Sequence, residues 1–579
     1  MKISTVSECF SQIEQVSGRL EITRLLAQLL KQANAHEAAI ICNLSLGQLH
    51  APYIGTKFNF AEKNIAKVLE QMLDISELEL VTRMKKMGDL SLVIEDGAWS
   101  AQDDLTVNQV YKALCDMEET TGTGSQEEKQ TALIALLQKL DTASARVVVK
   151  VLVGKLRLGF SDMTLIDALS WMITGDKSLR GAIENAYNVR ADMGLIAYEL
   201  KENGIKKIES MQPQVGIPII PSAAERLPTA KAIIEKLGPC VAQPKLDGFR
   251  LQIHVDNSGK HQKINFYSRN LQDMSQMFPD LHEAFSKFTG DSLICEGEAI
   301  VYDPNTGAFS KFQETVKRKR KHGIEEAMKE FPLQVFIFDI MYLNGKDLME
   351  LGHEERRGYV EKVFNKATTD LVRPIEEKKV TTAGQLEDYF NQNIAAGLEG
   401  LVVKRPDAVY QPGKRNFNWI KLKRTQEGHI EDTLDCVILG YYVGEGRRTQ
   451  FGVGAFLVGV FNKQEDRFET IAKVGTGLSD ADWVELKLKC DAIKVKEQPN
   501  NVVCAKELYP DVWVNPEIVC SVFADEITAS PLHAAGKTDT HLGFALRFPR
   551  FLGYRTDKSA TEATTSHEIK RLYEDQFKK

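Results

Sequence analysis

Lys245-Leu246-Asp247-Gly248-Phe249-Arg250 organises the reading of this 579-residue chain. Five further clusters follow it in order: Ser268-Arg269-Asn270, Glu296-Gly297-Glu298, Phe338-Asp339, Glu399-Gly400 through Lys404, and Trp419-Ile420-Lys421-Leu422-Lys423. A single K-x-D-G recurs by chance, whereas the ordered series carries more information. It supplies a lysine nucleophile, two acidic positions for a metal or a sugar, an aromatic platform and a closing pair of cations. Transfer of a nucleotide through a lysine adduct needs that set.

A lysine amine is protonated at neutral pH and becomes a nucleophile when desolvation or neighbouring cations lower its pKa. Arg250, Lys421 and Lys423 are candidate cations for Lys245 and candidate phosphate ligands. Asp247 is placed to orient the amine, and Gly248 to permit a tight turn. Glu298 and Glu399, each read as lying at a strand end, suit magnesium or a ribose hydroxyl. Phe338 closes an apolar strand before Asp339 and offers a ring to a purine. Lys421 and Lys423 share one strand face and repel each other unless an anion lies between them. Read alone, each has a plainer alternative: a solvated turn, surface glutamates, a core phenylalanine, a strand edge guarded by lysines. The run Lys317-Arg318-Lys319-Arg320-Lys321 reads as a solvated charge run or as a contact to a phosphate backbone.

Working outward, residues 1 to about 210 read as helical. Ile22, Leu25, Leu26, Leu29 and Leu30 form one amphipathic face. Ser125 and Glu128 propose a capping box before Leu133 to Leu140. A further helix is expected from Ala145 to Leu156, ending near Gly159. Met211 to Pro221 contains Pro213, Pro218 and Pro221 and reads as an extended linker. From 222 to about 424 short strands alternate with helices, and the clusters sit on or beside the strands. Beyond Arg424 the chain is more purely β, with Gly444, Gly446, Gly452 and Gly454 between apolar runs. A small closed barrel of about five strands is the economical reading, with a terminal helix from Thr565.

Length allows three or four domains. Nine scattered cysteines without a C-x-x-C suggest neither a disulfide framework nor a zinc site. No signal-peptide core and no bilayer-length apolar run is seen, so a cytoplasmic protein is expected. The net charge of -7 argues against a uniformly basic nucleic-acid binder. It leaves room for a local basic surface.

Laid in order, these motifs resemble ATP-dependent DNA ligases of the archaeal and eukaryotic replicative type, over nearly the whole chain. Lys245 to Arg250 resembles the family's adenylation motif. Ser268 to Asn270, Glu298, Phe338, Glu399 to Lys404 and Lys421 to Lys423 resemble its later nucleotidyltransferase motifs. Arg415 stands six residues before Lys421, where the family places an arginine. Val153 to Gly159 resembles the helical DNA-binding domain. Lys473 to Gly477, Arg547 to Arg550 and Arg555-Thr556-Asp557-Lys558 are similar to segments of the family's OB-fold.

The resemblance implies an all-α DNA-binding domain at 1–215, an α+β adenylation domain with antiparallel sheets at 222–424 and an OB-fold β-barrel at 425–579. It implies ATP as nucleotide, magnesium (or manganese) as metal, and nick sealing in replication, repair or recombination. Lys245 then takes AMP, Phe338 stacks on adenine and Gln243 accepts from its amino group. Glu298 serves the ribose or the metal, and Glu399 the metal. Arg250, Arg269, Arg415, Lys421 and Lys423 bind phosphates. Arg555, Asp557 and Lys558 orient pyrophosphate in the first step only, which implies that the C-terminal domain swings away before DNA is engaged. The expected partner is nicked duplex DNA, encircled by a monomer. A sliding clamp is a further expectation, although no clear clamp-binding peptide is seen.

The sequence departs from the family pattern in three places: Gln243 where glutamate is usual, Glu296 where aspartate is usual, and Pro221-Ser222 where Pro-Met is common. Two other classes stay in view. One is a sister enzyme: an RNA ligase, a capping guanylyltransferase or an NAD-dependent ligase. The other is a nick- or end-binding protein without catalysis.

Overall fold

The computed structural model describes residues 1–16, 18–87, 90–96, 105–154, 156, 158, 160–303, 309–310, 315, 317–318, 320, 323–364, 371–423, 433–444 and 446–575. Two compact units are formed, one of Met1–Met72 with Ala98–Arg424, the other of Leu73–Gly97 with Thr425–Lys579. No helix among the described residues is long and apolar enough to cross a membrane.

Up to Glu209 the described regular structure is almost wholly helical. Helix Arg19–Gln32 buries Ile22, Leu26, Leu29 and Leu30, the apolar stripe that its spacing predicts. Helices Ala35–Ser45 and Met193–Asn203 cross closely at Gly194, where a Cβ would stand 2.8 Å from the Asn43 side chain. Two local expectations are corrected. The helix from Ser125 to Leu137 begins after Gly124, whose φ of 86° makes the turn, and it has no side-chain cap. The next helix is Thr142–Leu152, capped by Asp141 and ending four residues before Leu156; Lys155, Arg157 and Gly159 lie outside the described residues.

The proline-rich segment before 222 is pinned rather than free. The Ile219 N–H donates to Gln252 Oε1 at 2.7 Å, and the Gln252 amide returns a bond to the Ile219 carbonyl at 3.0 Å. Ile219 is fully buried. A linker reading from proline content alone misses this, because the docking partner lies 33 residues away.

Among the described residues eleven strands follow: β1 Ala223–Arg226, β2 Cys240–Lys245, β3 Phe249–Asp256, β4 Lys263–Ser268, β5 Ser292–Val301, β6 Leu333–Leu343, β7 Lys346–Asp347, β8 Val372–Pro374, β9 Lys378–Val380, β10 Gly400–Lys404 and β11 Arg415–Lys423. They make two sheets, β1-β11-β10-β2-β9 and β4-β3-β5-β6-β7, with β8 beside β6. Pairing is antiparallel except for β1 with β11 and β6 with β8.

Side-chain alternation gives each sheet an oily face and a chemical face. In the first, Ala242, Leu401, Val403, Ile420 and Leu422 pack on helices Ala230–Leu237 and Ala383–Ala395. In the second, Leu251, Ile253, Cys295, Val335 and Ile337 pack with Leu281, Phe285 and Val360 of two other helices. The residues between these point the other way.

Three sequence expectations change here. Glu298 lies inside the ten-residue β5 rather than at its end. Phe338 does not end its strand either: β6 continues to Leu343. Its register shifts between Glu296↔Asp339 and Gly297↔Ile337, so Phe338 is the extra residue of a bulge, a device that re-aims a side chain. The cationic run is not all solvated. Arg318 is 1% exposed and donates to Asp280 at 2.6 Å and to the Met277 carbonyl at 3.0 Å; Lys319 and Lys321 lie outside the described residues.

In the second unit β12 Leu434–Tyr442, β13 Ala455–Asn462, β14 Arg467–Val474, β15 Lys494–Val495, β16 Val502–Val503, β17 Val512–Val514, β18 Val519–Phe523 and β21 Arg550–Tyr554 form one eight-stranded sheet. The strands β19 Glu526–Ser530 and β20 Gly543–Arg547 pair separately. This is more strand than the five expected, because short β15, β16 and β17 extend the edges. Helices Asp480–Ala492 and Ser566–Asp575 contribute Trp483, Leu486 and Ile569 to its core.

Asp339 shows how the second sheet continues through a charge. Arg356 Nε donates to it at 2.7 Å, and both residues are at most 1% exposed. Burial pushes the Asp339 carboxyl up, but Arg356 and then Lys404 outweigh it and hold the group well below the ordinary carboxylate range. The stabilisation is therefore whole above the unfolded carboxylate's titration and lost as pH falls through the lower folded value. Arg356→Ala strands that carboxylate. It is expected to cost about 3–5 kcal/mol, read as a lower thermal midpoint for the first unit, whereas a shift near zero contradicts the role assigned to the pair.

Candidate active site

The chemical faces of the two sheets are populated in register. On the first, Lys245 of β2 lies opposite Gly400 and Gln243 opposite Val402. Gly400 and Val402 in turn lie opposite Lys423 and Lys421 of β11. On the second, Arg250 of β3 lies opposite Glu298 of β5. Gly248 is not at positive φ; it serves close approach instead. A Cβ there would stand 2.3 Å from the Ala299 carbonyl oxygen, and the Gly248 N–H bonds to the Glu298 carboxylate.

Lys245 Nζ pairs with the Glu399 carboxylate, which stands just before β10. Lys423 Nζ reaches the same carboxylate at 3.2 Å. The ammonium of Lys421 is lowered, first by burial and then by Lys423, Arg415, Lys245 and Arg269. The fold thus brings those four cations to bear on Lys421, and Glu399 is the carboxylate that answers two of them. Lys421 and Lys423 share a face, as the alternation requires. Arg269, in the turn after β4, also lines a cavity of about 290 Å³ with Pro221, Asn43 and Tyr187.

Behind this cluster lies a second layer. The Arg250 guanidinium makes two bonds to Glu296, at 2.7 and 3.1 Å, and donates to the Ser222 carbonyl at 2.7 Å. Tyr410, from the loop between β10 and β11, donates to Glu296 at 2.8 Å. Arg250 also lies 5.4 Å from the centroid of Phe338 and 5.8 Å from that of Trp419. Phe338 meets Trp419 edge-on at 6.2 Å and is half-buried, leaving ring surface available. Glu298 is short of compensation. Desolvation first, and Glu399 in addition, push its carboxyl up to about 7 against Lys245 and Arg250.

Motif reading missed two members of a third group, Glu377 and His353. Gln243 is 1% exposed, and its Nε2 donates to Glu377 Oε2 at 2.7 Å. The same oxygen bonds His353 Nε2 at 2.8 Å. Lys404 is buried and donates to the Phe338 carbonyl at 3.0 Å. Its ammonium is lowered to about 8, chiefly by burial, with Asp339 and Glu377 opposing. In Ile375-Glu376-Glu377-Lys378-Lys379 nothing local marks Glu377.

In the second unit Arg555 bonds Asp435 at 3.0 Å and Asp557 at 2.7 Å, and Lys558 bonds Asp435 at 2.6 Å. Asp435 was not singled out by sequence. It also accepts from Ser521 at 2.9 Å.

A family model described as ATP dependent DNA ligase domain matches residues 221–423. Models of the DNA ligase N terminus and of the ATP dependent DNA ligase C terminal region match 2–170 and 449–558. The chain is 41% identical to the probable DNA ligase of Dictyoglomus turgidum, over 100% of its own length and 98% of the relative's. It is 35% identical to the DNA ligase of Sulfolobus acidocaldarius, over 100% and 99%. Among solved structures, Pmar-Lig_Pre. is similar in fold, with a TM-score of 0.55 and 16% identity over 95% of this chain and 99% of that one.

The cation cluster generates a prediction independent of any reaction. Inorganic tripolyphosphate should raise the thermal midpoint of the protein, and the rise should shrink at higher salt. The double variant Lys421→Ala/Lys423→Ala should lose most of the rise. An equal rise in that variant would place the anion elsewhere.

Proposed function

The chain belongs to the ATP-dependent DNA ligases, and on that premise we propose that Lys245 carries AMP from ATP to the 5′-phosphate of a nick in duplex DNA. The single observation behind this reading is the juxtaposition of Lys245 with Glu399, Lys421 and Lys423 on one sheet face. An amine stands there among cations that need an anion.

The reaction runs in three balanced steps. The Lys245 amine attacks the α-phosphorus of ATP; an N–P bond forms, the bond to the bridging oxygen breaks, and pyrophosphate leaves. The 5′-phosphate oxygen of the nick then attacks the same phosphorus and frees Lys245, giving a DNA-adenylate. Finally the 3′-hydroxyl attacks the 5′-phosphorus, the strand closes and AMP departs.

Each residue has a task in this scheme. Glu399 holds Nζ in place and must release it for attack. Lys421, Lys423, Arg415 and Arg269 neutralise phosphate oxygens, where charge builds up in the transition state. Arg250, fixed by Glu296, presents a guanidinium beside them. Phe338, re-aimed by its bulge, stacks on adenine, and Gln243 meets the amino group of the base. Glu298 takes the ribose or a metal.

Magnesium suits the donors present. Glu298 and Glu399 offer hard oxygen ligands, and Glu399 lies close enough to add to the upward push on the Glu298 carboxyl. Among the described residues no cluster of three acidic, histidine or cysteine donors could hold a metal. Magnesium commonly accepts such a half-shell of carboxylates and completes it with phosphate and water. When bound, it supplies charge neutralisation and Lewis acidity on the phosphates.

Residues 425–579 are read as the OB-fold domain, with Arg555, Asp557 and Lys558 turned to pyrophosphate in the first step. The pairing of Arg555 and Lys558 with Asp435 means that this carboxylate must give up part of its hold when those two cations bind phosphate. The helical region up to 215 is read as the DNA-binding domain of a monomer that encircles the duplex; a sliding-clamp partner remains an expectation of family resemblance.

Incubation with magnesium and α-labelled ATP should leave covalent label on the protein that survives denaturation in neutral detergent and, as a phosphoramidate, is lost in hot acid; nicked DNA should discharge it with strand joining. Lys245→Ala should lower label and joining by at least about a thousandfold, and chelation of divalent metal should block both. Full labelling of Lys245→Ala would overturn the assignment.

A further inference from the structure

A glutamine amide can read a purine in two ways. Its oxygen accepts from the amino group of adenine; turned over, its nitrogen donates to the carbonyl that guanine carries at the same position. Gln243 therefore does not select a base unless something fixes which end faces it.

The structure contains such a fixing group. Gln243 Nε2 lies 2.7 Å from Glu377 Oε2. A carboxylate only accepts hydrogen bonds, so the amide end facing Glu377 has to be the NH2 group, and the carbonyl end faces away. Glu377 is itself held. His353, 1% exposed, reaches the same oxygen at 2.8 Å, and it must donate from Nε2 for the same reason. Burial pushes the Glu377 carboxyl up, but the bond and charge of His353, then Lys404 and Gln243, outweigh it and bring it below the ordinary value. The carboxylate form is thus the one present. Among the described residues Gln243 Oε1 takes no side-chain hydrogen bond. The side chain projects from the face of β2 that carries Lys245, two residues on.

We propose that Glu377 is a specificity-determining positioning residue: by accepting only, it locks the Gln243 amide with its oxygen toward the nucleotide base, so that ATP is taken and GTP is refused. The proposal rests on the reading above that the base of ATP lies against Gln243. Glu377 touches no substrate; it acts through the amide it orients.

The test measures formation of the covalent nucleotidyl-protein from α-labelled ATP and α-labelled GTP, as kcat and KM separately, in the full-length chain. In Glu377→Gln the partner can donate as well as accept, so the Gln243 amide can turn over. The ratio of kcat/KM for ATP to that for GTP should fall by at least about tenfold, mainly through KM, while the intact protein still melts cooperatively. The double variant Gln243→Glu/Glu377→Gln should recover the ATP preference, because a carboxylate at 243 has only acceptors to show. It also guards against a folding defect in the single variant. An unchanged ATP-to-GTP ratio in Glu377→Gln, or a lost preference that the double variant fails to recover, would overturn the proposal. Gln243→Ala separates the two levels: if it leaves KM for ATP unaltered, the base does not lie there and the underlying reading falls; if it raises KM while Glu377→Gln changes nothing, only the lock falls.

Discussion

Arg250 is the tie on which the site depends. Two sheets turn their polar faces toward each other, and such an interface holds only if its charges are matched. Arg250 leaves β3, closes two bonds on Glu296 and a third on the Ser222 carbonyl that leads into β1. Tyr410 and Trp419, both from the first sheet's side, meet edge-on at 5.7 Å and enclose the pair, Tyr410 donating to Glu296 and Trp419 lying under Arg250. Lys245, Glu298, Phe338 and Lys421 hold their places because this junction holds.

In front of the tie the electrostatics are deliberately unfinished. Lys423, Arg415, Lys245 and Arg269 all bear on Lys421, with Glu399 between two of them. Like charges brought together on a sheet destabilise it, and a bound polyphosphate would relieve the strain. Glu298 has the opposite shortage, a half-buried carboxyl pushed up to about 7. One face short of anions and one carboxyl short of cations form a matched pair of demands, which a nucleotide with its metal meets together.

The strands that build this were largely legible, because period-2 alternation is a local property: Leu251 to Val255 and Lys263 to Tyr267 fall in β3 and β4. The shared face of Lys421 and Lys423 follows from the same rule. What stayed hidden depends on distant partners. Asp339 reads as a strand terminator until Arg356, 17 residues on, is seen to bury it, and the bulge at Phe338 exists only in the pairing with β5. Nothing in the sequence marks Glu377, since its partner Gln243 is 134 residues away. Gly248 was read as a turn residue, whereas its need for hydrogen in place of Cβ comes from the Ala299 carbonyl of another strand. The helical region showed its stripes but not its ends: Gly124 made a turn where a capping box was expected.

The central claim is that one nitrogen, Nζ of Lys245, carries the nucleotide. The most direct measurement is fragmentation mass spectrometry of the peptide containing Gln243 to Arg250, after incubation with ATP and magnesium and quenching in acid-free buffer. The account predicts an adenylate mass on Lys245, absent when the adenylated protein is freed of ATP and discharged with nicked DNA before the quench. Adenylate on any other side chain, or none in protein shown to be free of it beforehand, would contradict it.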